Sequence, residues 1–202
     1  MMTMNSSEKK LTQKDLMGIF WRSFRQDAVW NFERQQNLGS AYTMSRVVGK
    51  LYEDDKEKRA RALQRHVDFM AITPHLSTLL YGILAAMEEE NANNSDFDES
   101  SIRAVRASLM GPIAGIGDSL LWGTLRIIAA GIAISFSQNG SILGPLLFLL
   151  IINVPCMILR YVCLFKGYEL GTSFFKKVLD SGIMDTVTYV ASSIGLMVIG
   201  CM

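Results

Sequence analysis

Charge is absent from this sequence where a soluble protein would need it. The 202-residue chain carries no charged side chain over 33 consecutive positions, Ile127 to Leu159, and none over 17 more, Thr186 to Met202. A helix in a soluble domain needs a solvated polar face, so uncharged stretches of this length exclude an ordinary soluble enzyme and place the C-terminal half in a bilayer. Neither sign of charge dominates. The 20 Lys and Arg balance 19 Asp and Glu, which leaves no basic face for nucleic acid and no acidic tail. Cysteine is scarce and odd in number: Cys156, Cys163 and Cys201 lie in apolar sequence and read as small buried hydrophobes, not as a disulfide framework. The first 18 residues hold Glu8, Lys9, Lys10, Lys14 and Asp15 around no apolar core, so no secretory signal is read there.

The familiar catalytic arrangements are missing as well. The two histidines, His66 and His75, are nine residues apart, which fits no metal-ligand spacing, and neither GxSxG nor CxxC occurs. The glycine-rich run from Gly111 to Ser119 is not a phosphate-binding loop, because such a loop needs a lysine before its hydroxyl residue and this one has Asp118. No metal and no cofactor is expected. Transport or scaffolding is left.

What is present divides the chain in two. Residues 1–103 hold 29 charged side chains and residues 104–202 hold 10. The pattern predicts an all-α membrane protein with an amphipathic helical N-terminal half, a re-entrant or half-depth helix and about three transmembrane segments. Residues 1–105 form a cytoplasm-facing helical region that includes a re-entrant segment near 75–88, and residues 106–202 form the transmembrane region. Residues 1–10 read as disordered. Thr12, with Asp15 three positions on, reads as a capping box opening a helix whose Phe20, Trp21 and Phe24 face apolar surroundings. Asp27 is expected to cap a second helix running through Trp30 to Gln36 and ending near Gly39. The charged run from Glu53 to Arg65 reads as a solvated helix continuing to Met70 and ending before Pro74. Leu76 to Met87 is too short to span, since a crossing takes about 20 residues. Glu88, Glu89 and Glu90 read as a charged cap at the membrane interface, and Asn91 to Asp96 as a polar loop. Asp98 opens the next helix, with Ile102, Val105 and Leu109 on one face. Spans follow at roughly 112–136 and 143–165, joined by a turn at 137–140, and residues 186–202 make a third apolar segment. Basic residues flank the spans at Arg103 and Arg106 and at Arg160, Lys166, Lys176 and Lys177, while the turn has none. The positive-inside rule therefore puts the N-terminus and a loop at 166–185 in the cytoplasm.

Two groups of residues could carry function. Asp118, Trp122 and Arg126 recur every fourth position. An ionised group at mid-bilayer costs about 2.5–3.5 kcal/mol on insertion scales, so these groups point toward protein, water or each other. They read either as a polar path or as a contact that fixes helix packing. Trp30-Asn31-Phe32-Glu33-Arg34 brings an aromatic ring, an amide, a carboxylate and a guanidinium together. Such a set can hold a sugar through its hydroxyls and its C–H face, or it can form a hydrogen-bonded knot around a core tryptophan.

The sequence resembles a known family. LTQKDLMGIFWRSF, WNFER followed by QNLG, RHVDF, GPIAGIGDSLLWGTLR and GSILGPLLF occur in the order found in the IID membrane component of mannose-family sugar phosphotransferase systems, and the likeness runs from Leu11 to Gly200. The resemblance implies a non-enzymatic transport subunit of the bacterial cytoplasmic membrane that pairs with a IIC subunit to import a hexose or amino sugar, in a trimer of IIC–IID pairs. IIA and IIB would relay phosphate from phosphoenolpyruvate, with IIB phosphorylating the sugar. By match to WNFER it places Trp30, Asn31, Glu33 and Arg34 near the sugar path. Gly111, Gly115, Gly117 and Asp118, with Trp122 and Arg126 beyond them, take a structural or gating role. Pro74, Gly82 and Glu88 also fall in matching places. The family's Asn-Thr pair before the proline is Ala71-Ile72 here, its usual Met after WNFER is Gln35, Ser119 stands where members often have proline after the aspartate, and Ile127 replaces another common proline. Family members typically continue for several tens of residues beyond Met202. A second reading stays open beside transport: a membrane scaffold or regulatory remnant that binds a IIC-like partner without transporting.

Overall fold

A computed structural model of the chain describes residues 9–138 and 140–181, the last nine of these as backbone. Within them lie seven α-helices: α1 Gln13–Ser23, α2 Asn37–Leu51, α3 Lys56–His66, α4 Ser77–Asn93, α5 Ser100–Gly117, α6 Arg126–Ser137 and α7 Leu143–Ser181, with a π-helical segment, Asp118–Leu125, joining α5 to α6. The expected third apolar segment at 186–202, and residues 1–8, lie outside the described residues.

The opening of α1 follows the capping box. Asp15 accepts hydrogen bonds from the Thr12 N–H at 2.9 Å and the Thr12 hydroxyl at 2.6 Å, satisfying donors that a helix start leaves orphaned. Lys9 is not disordered. Its N–H donates to Asn93 Oδ1, and the Asn93 amide donates back to the Lys9 carbonyl, both at 2.8 Å. Of the aromatic stripe only Phe20 enters the core, whereas Trp21 and Phe24 remain 63% and 44% exposed. Asp55 caps α3 by accepting from the Lys58 N–H, but α3 stops at His66 and the chain to Ser77 runs without a helix.

α5, the π segment and α6 form one continuous run, Ser100–Ser137, of 38 residues, and the antiparallel α7 supplies Leu143–Thr172, 30 residues; both are apolar and long enough to cross a membrane. Their side chains are mostly uncovered: Ile127, Ile128, Ile134, Leu149, Leu150 and Ile158 are each more than half exposed. That is unfavourable in water and ordinary against lipid. Residues 166–181, expected as a loop, continue α7, because no glycine-proline stop or polar run interrupts them.

α4 fits neither pattern. It is buried nearly all round, from Ser77 through Asn91, as a core helix is. Its most extensive contact is with α7, and small residues set the closeness. A Cβ added to Gly82 would sit 2.3 Å from the Leu164 carbonyl, one added to Gly167 would sit 2.1 Å from the Leu79 carbonyl, and one at Gly171 would meet the Ala86 methyl at 2.6 Å. Gly167 and Gly171 are four apart, the spacing that lets membrane helices bring their backbones together. The Thr78 hydroxyl donates to the Arg160 carbonyl at 2.8 Å, closing the start of the contact. Gly82→Ala should therefore destabilise the chain by about 1–3 kcal/mol through overpacking. Gly111→Ala, where nothing lies within 4 Å of the new methyl, should be neutral or stabilise by about 0.5–1 kcal/mol. Thermal melting of the two variants in detergent micelles checks the contrast.

Candidate functional site

The WNFER stretch is not helical. Residues 24–36 form successive turns, and Gln35 adopts φ +50°, so the expected helix capped by Asp27 does not form and Gly39 lies inside α2. The cause is a competing set of hydrogen bonds. Asn31 donates through Nδ2 to the Gln35 carbonyl and to Asn37 Oδ1 and accepts the Arg34 N–H through Oδ1 at 2.9 Å. The Asn31 N–H also donates to the Gln35 carbonyl. Local side-chain bonds of this kind offer the backbone an alternative to helix.

The base of the loop is anchored to the extended chain before α4. Gln36 Oε1 accepts the Ile72 N–H at 2.9 Å, Gln36 Nε2 donates to the Ile72 carbonyl at 3.0 Å, and the Gln36 N–H donates to the Met70 carbonyl. The buried Gln26 amide donates to Gln36 Oε1, and Asn37 Nδ2 donates to the Val67 carbonyl. The tip is free by contrast. Trp30 is 54% and Phe32 91% exposed, and among the described residues no hydrogen bond or ion pair engages the Glu33 carboxylate or the Arg34 guanidinium. Asn31, Phe32, Glu33, Arg34, Asn37 and Leu38 line a shallow depression of about 410 Å³. Trp30 is thus not the core of a knot, and Asn31 uses its side chain on the loop itself.

The second group gathers around the other end of the same extended chain. Thr73 is buried and presses into the space left by Gly117, where an added Cβ would lie 2.5 Å from its hydroxyl. That hydroxyl lies 2.7 Å from Asp118 Oδ1 and 3.1 Å from the Ala114 carbonyl. Gly111 meets nothing, and Gly115 is half-buried. Pro112 is accommodated within α5, and the wide π turns follow, with the Thr124 hydroxyl donating five residues back to the Ser119 carbonyl. Irregular turns of this type recur at functional sites. Arg126 stacks on Trp122 at 5.2 Å, and His75 lies 6.2 Å from the Trp122 ring. These three residues, with Leu121, Phe148, Ile152 and Cys156, line a cavity of about 180 Å³. Asp118 faces Thr73 and makes no ion pair with Arg126 among the described residues. Residues 67–75 therefore touch both groups, holding the WNFER loop through Met70 and Ile72 and the glycine-aspartate turn through Thr73.

A third cluster is not foreseen by the sequence reading. Glu88 is fully buried and receives Arg65 Nε at 2.7 Å, Arg65 Nη2 at 2.9 Å, His66 Nε2 at 2.9 Å and the Tyr52 hydroxyl at 2.8 Å. Asn91 donates to the Tyr52 oxygen, and Arg65 Nη1 reaches Glu99 at 2.7 Å. Glu88 is thus no interface cap. Glu89 is also engaged, accepting from the Tyr168 hydroxyl of α7. The run read as solvated is buried at its end, at Ala62 and Arg65, and so is His66 next to it. Their spacing, small residue then i+3 and i+4, is the signal that could have exposed it. Burial alone would raise the Glu88 carboxyl, but the hydrogen bonds from Arg65 and His66 and their charges outweigh it and hold the group at about 2. Burial and the neighbouring carboxylate push the Tyr52 hydroxyl well above its ordinary range. Asp15 is likewise lowered to about 2: burial opposes this, and the Lys50 ammonium and Thr12 outweigh it.

Residues 10–202 match the family model described as PTS system mannose/fructose/sorbose family IID component. The mannose-specific EIID component of Escherichia coli K12 is 37% identical over 200 residues, covering 99% of this chain and 70% of the relative. The fructose permease IID component of Bacillus subtilis 168 is 39% identical over 195 residues, covering 96% and 70%, and the sorbose-specific EIID component of Klebsiella pneumoniae is 39% identical over 193 residues with the same coverage. Among solved structures, a chain of the cryo-EM complex of the mannose transporter ManYZ with microcin E492 superposes with a TM-score of 0.91 at 38% identity, over 96% of this chain and 70% of that one.

The Glu88 centre has an acid limit. Its folded-state value of about 2 lies below the ordinary 4.5, so its contribution is complete above 4.5 and is lost as pH falls toward 2. Glu88→Gln should cost about 3 kcal/mol at neutral pH, the low end for breaking a buried pair, because Arg65 then keeps only the part-exposed Glu99 carboxylate. It should also flatten the fall in melting temperature between those pH values, apart from the share due to Asp15. Melting curves across pH in micelles measure both effects.

Proposed function

The chain belongs to the mannose/fructose/sorbose family of phosphotransferase-system IID components, and from that premise we propose that it pairs with a IIC membrane subunit to form the translocation unit for a hexose or amino sugar. IIB, supplied with phosphate by IIA, phosphorylates the sugar on the cytoplasmic side. This chain is the non-catalytic partner. Its two histidines are both engaged in packing, His66 against Glu88 and His75 beside Arg160, which suits a subunit that carries no phosphoryl group. The complex sits in the bacterial cytoplasmic membrane as a trimer of IIC–IID pairs, with α1–α3 and the N-terminus on the cytoplasmic side. Arg103 at the start of the first span and Lys176 and Lys177 just beyond the second, set against a turn that has no basic residue, support this orientation.

The observation that carries the reading is the WNFER loop: a rigid, hydrogen-bonded base with an aromatic ring, a carboxylate and a guanidinium left free at its tip. Glu33 and Arg34 bind sugar hydroxyls, Trp30 lies under the C–H face, and Asn31 holds the loop in shape. The turn at Gly117 and Asp118, locked by Thr73, ties this loop to the spans through residues 67–75, so helix movement on translocation reaches the sugar contacts directly.

Phosphoenolpyruvate-dependent uptake over a panel of hexoses and amino sugars, in cells carrying the cognate IIA, IIB and IIC, tests the proposal. Uptake that requires the chain is expected. With the protein inserted and no sugar taken up, the scaffold reading would replace it. Within a working system, Glu33→Gln should lower uptake at least about tenfold, the weight of one charged hydrogen bond, while leaving insertion unchanged. Normal uptake by that variant would remove the loop from the sugar path.

A further inference from the structure

Arg126 lies well inside the first apolar span and, among the described residues, has no counter-charge. It precedes Ser137, the end of the first span, by 11 residues, which is about 17 Å at 1.5 Å per residue and places it near the middle of a hydrocarbon core about 30 Å thick. Among the described residues no carboxylate lies within ion-pair distance of its guanidinium, which stacks on the face of Trp122. Asp118, the one acidic residue of that span, is turned the other way onto Thr73. The cavity beside Arg126 is mostly apolar, walled by Leu121, Phe148, Ile152 and Cys156.

A second cation deepens the positive field there. Arg160 on α7 is only 3% exposed, its Nε has no hydrogen-bond partner, and its Nη2 lies 3.4 Å from Nδ1 of His75, which lines the cavity. Asp27 acts on Arg160 only at longer range. The surface around Arg126 is also open to a close neighbour. Gly123, one turn away, has no atom beyond its own helical run near an added Cβ, Gly131 has none at all within 4 Å, and Ile127 and Ile128 are 67% and 54% exposed. Small residues on an uncovered face let another helix backbone approach, and an ionised side chain at this depth requires a partner group.

We propose that the Trp122–Arg126 face receives a carboxylate from a membrane helix of the IIC subunit, forming an intersubunit ion pair near mid-bilayer at the mouth of the His75 cavity. The inference rests on the IIC pairing proposed above. The depth excludes a lipid phosphate, which lies at the headgroups, and the missing charge is negative. The π turns between Asp118 and Leu125 set the angle at which Trp122 and Arg126 present themselves, so the ion pair couples the partner to the Thr73–Asp118 contact and, through residues 67–75, to the WNFER loop.

The test is co-purification of the chain on affinity-tagged cognate IIC from membranes in mild detergent. The Arg126→Gln variant should be retained at least about tenfold less than the wild type, as expected when one partner of a buried charge pair is removed, while its own insertion and melting temperature stay unchanged. Arg126→Lys should retain IIC in part. Treating that complex with dicyclohexylcarbodiimide, which condenses a carboxylate with an amine, should join the introduced amine to an Asp or Glu in a IIC membrane helix, giving a covalent heterodimer located by mass spectrometry. Undiminished retention of Arg126→Gln would overturn the inference and leave the pairing standing. So would a cross-link confined to this chain's own Asp185. Failure of the wild-type chain to hold IIC would overturn the pairing itself and the ion pair with it.

Discussion

A carboxylate fully removed from water is the constraint around which this molecule is arranged. Burying an ion costs several kcal/mol, and only close, well-directed partners offset that cost. Glu88 meets the requirement with one edge of the Arg65 guanidinium, through Nε and Nη2, the His66 ring and the Tyr52 hydroxyl. These partners come from the ends of α2 and α3, and Arg65 extends the link to Glu99 before α5. The buried charge therefore decides where α3 ends, how α4 is oriented and where the chain turns toward the membrane.

From Glu88 the order passes along α4. This helix is neither solvated nor lipid-facing, and it lies close enough to α7 that Gly82, Gly167 and Gly171 leave no room for a methyl group. Hydrophobic burial distinguishes weakly between a helix partner and a lipid tail, so close packing and hydrogen bonds such as that from Thr78 to the Arg160 carbonyl set the fit. Residues 67–75 run between the Arg65–His66 clamp and the start of α4, and on that stretch hang both the WNFER loop and the Thr73–Asp118 contact. Elements far apart in sequence share a support fixed at both ends.

The features legible in the sequence were those governed by local rules. The Thr12–Asp15 box, the two spans and the helix opening after Asp98 follow from capping chemistry, charge and hydropathy, and the ordered motifs gave the family. The WNFER segment departs from the helix its sequence suggests because its fate depends on Gln36 reaching Ile72 and Met70, partners about 35 residues away. Arg65 reads as solvated because a charged residue declares its burial only through its partner, and that partner, Glu88, sits more than 20 residues on. The Gly167–Gly171 spacing is visible in the sequence, but the helix facing it is not. The tip residues of the loop were legible as types, and their exposure was not.

If α4 joins the charged half to the membrane hairpin as one cooperative structure, its stability and that of the facing part of α7 must be the same quantity. Native-state hydrogen exchange in micelles, followed peptide by peptide as denaturant is raised, reads this directly. The amides of residues 77–93 and 156–171 should converge on a single opening free energy. Exchange of the α4 peptide through a separate, less stable opening, with α7 still protected, would contradict the account.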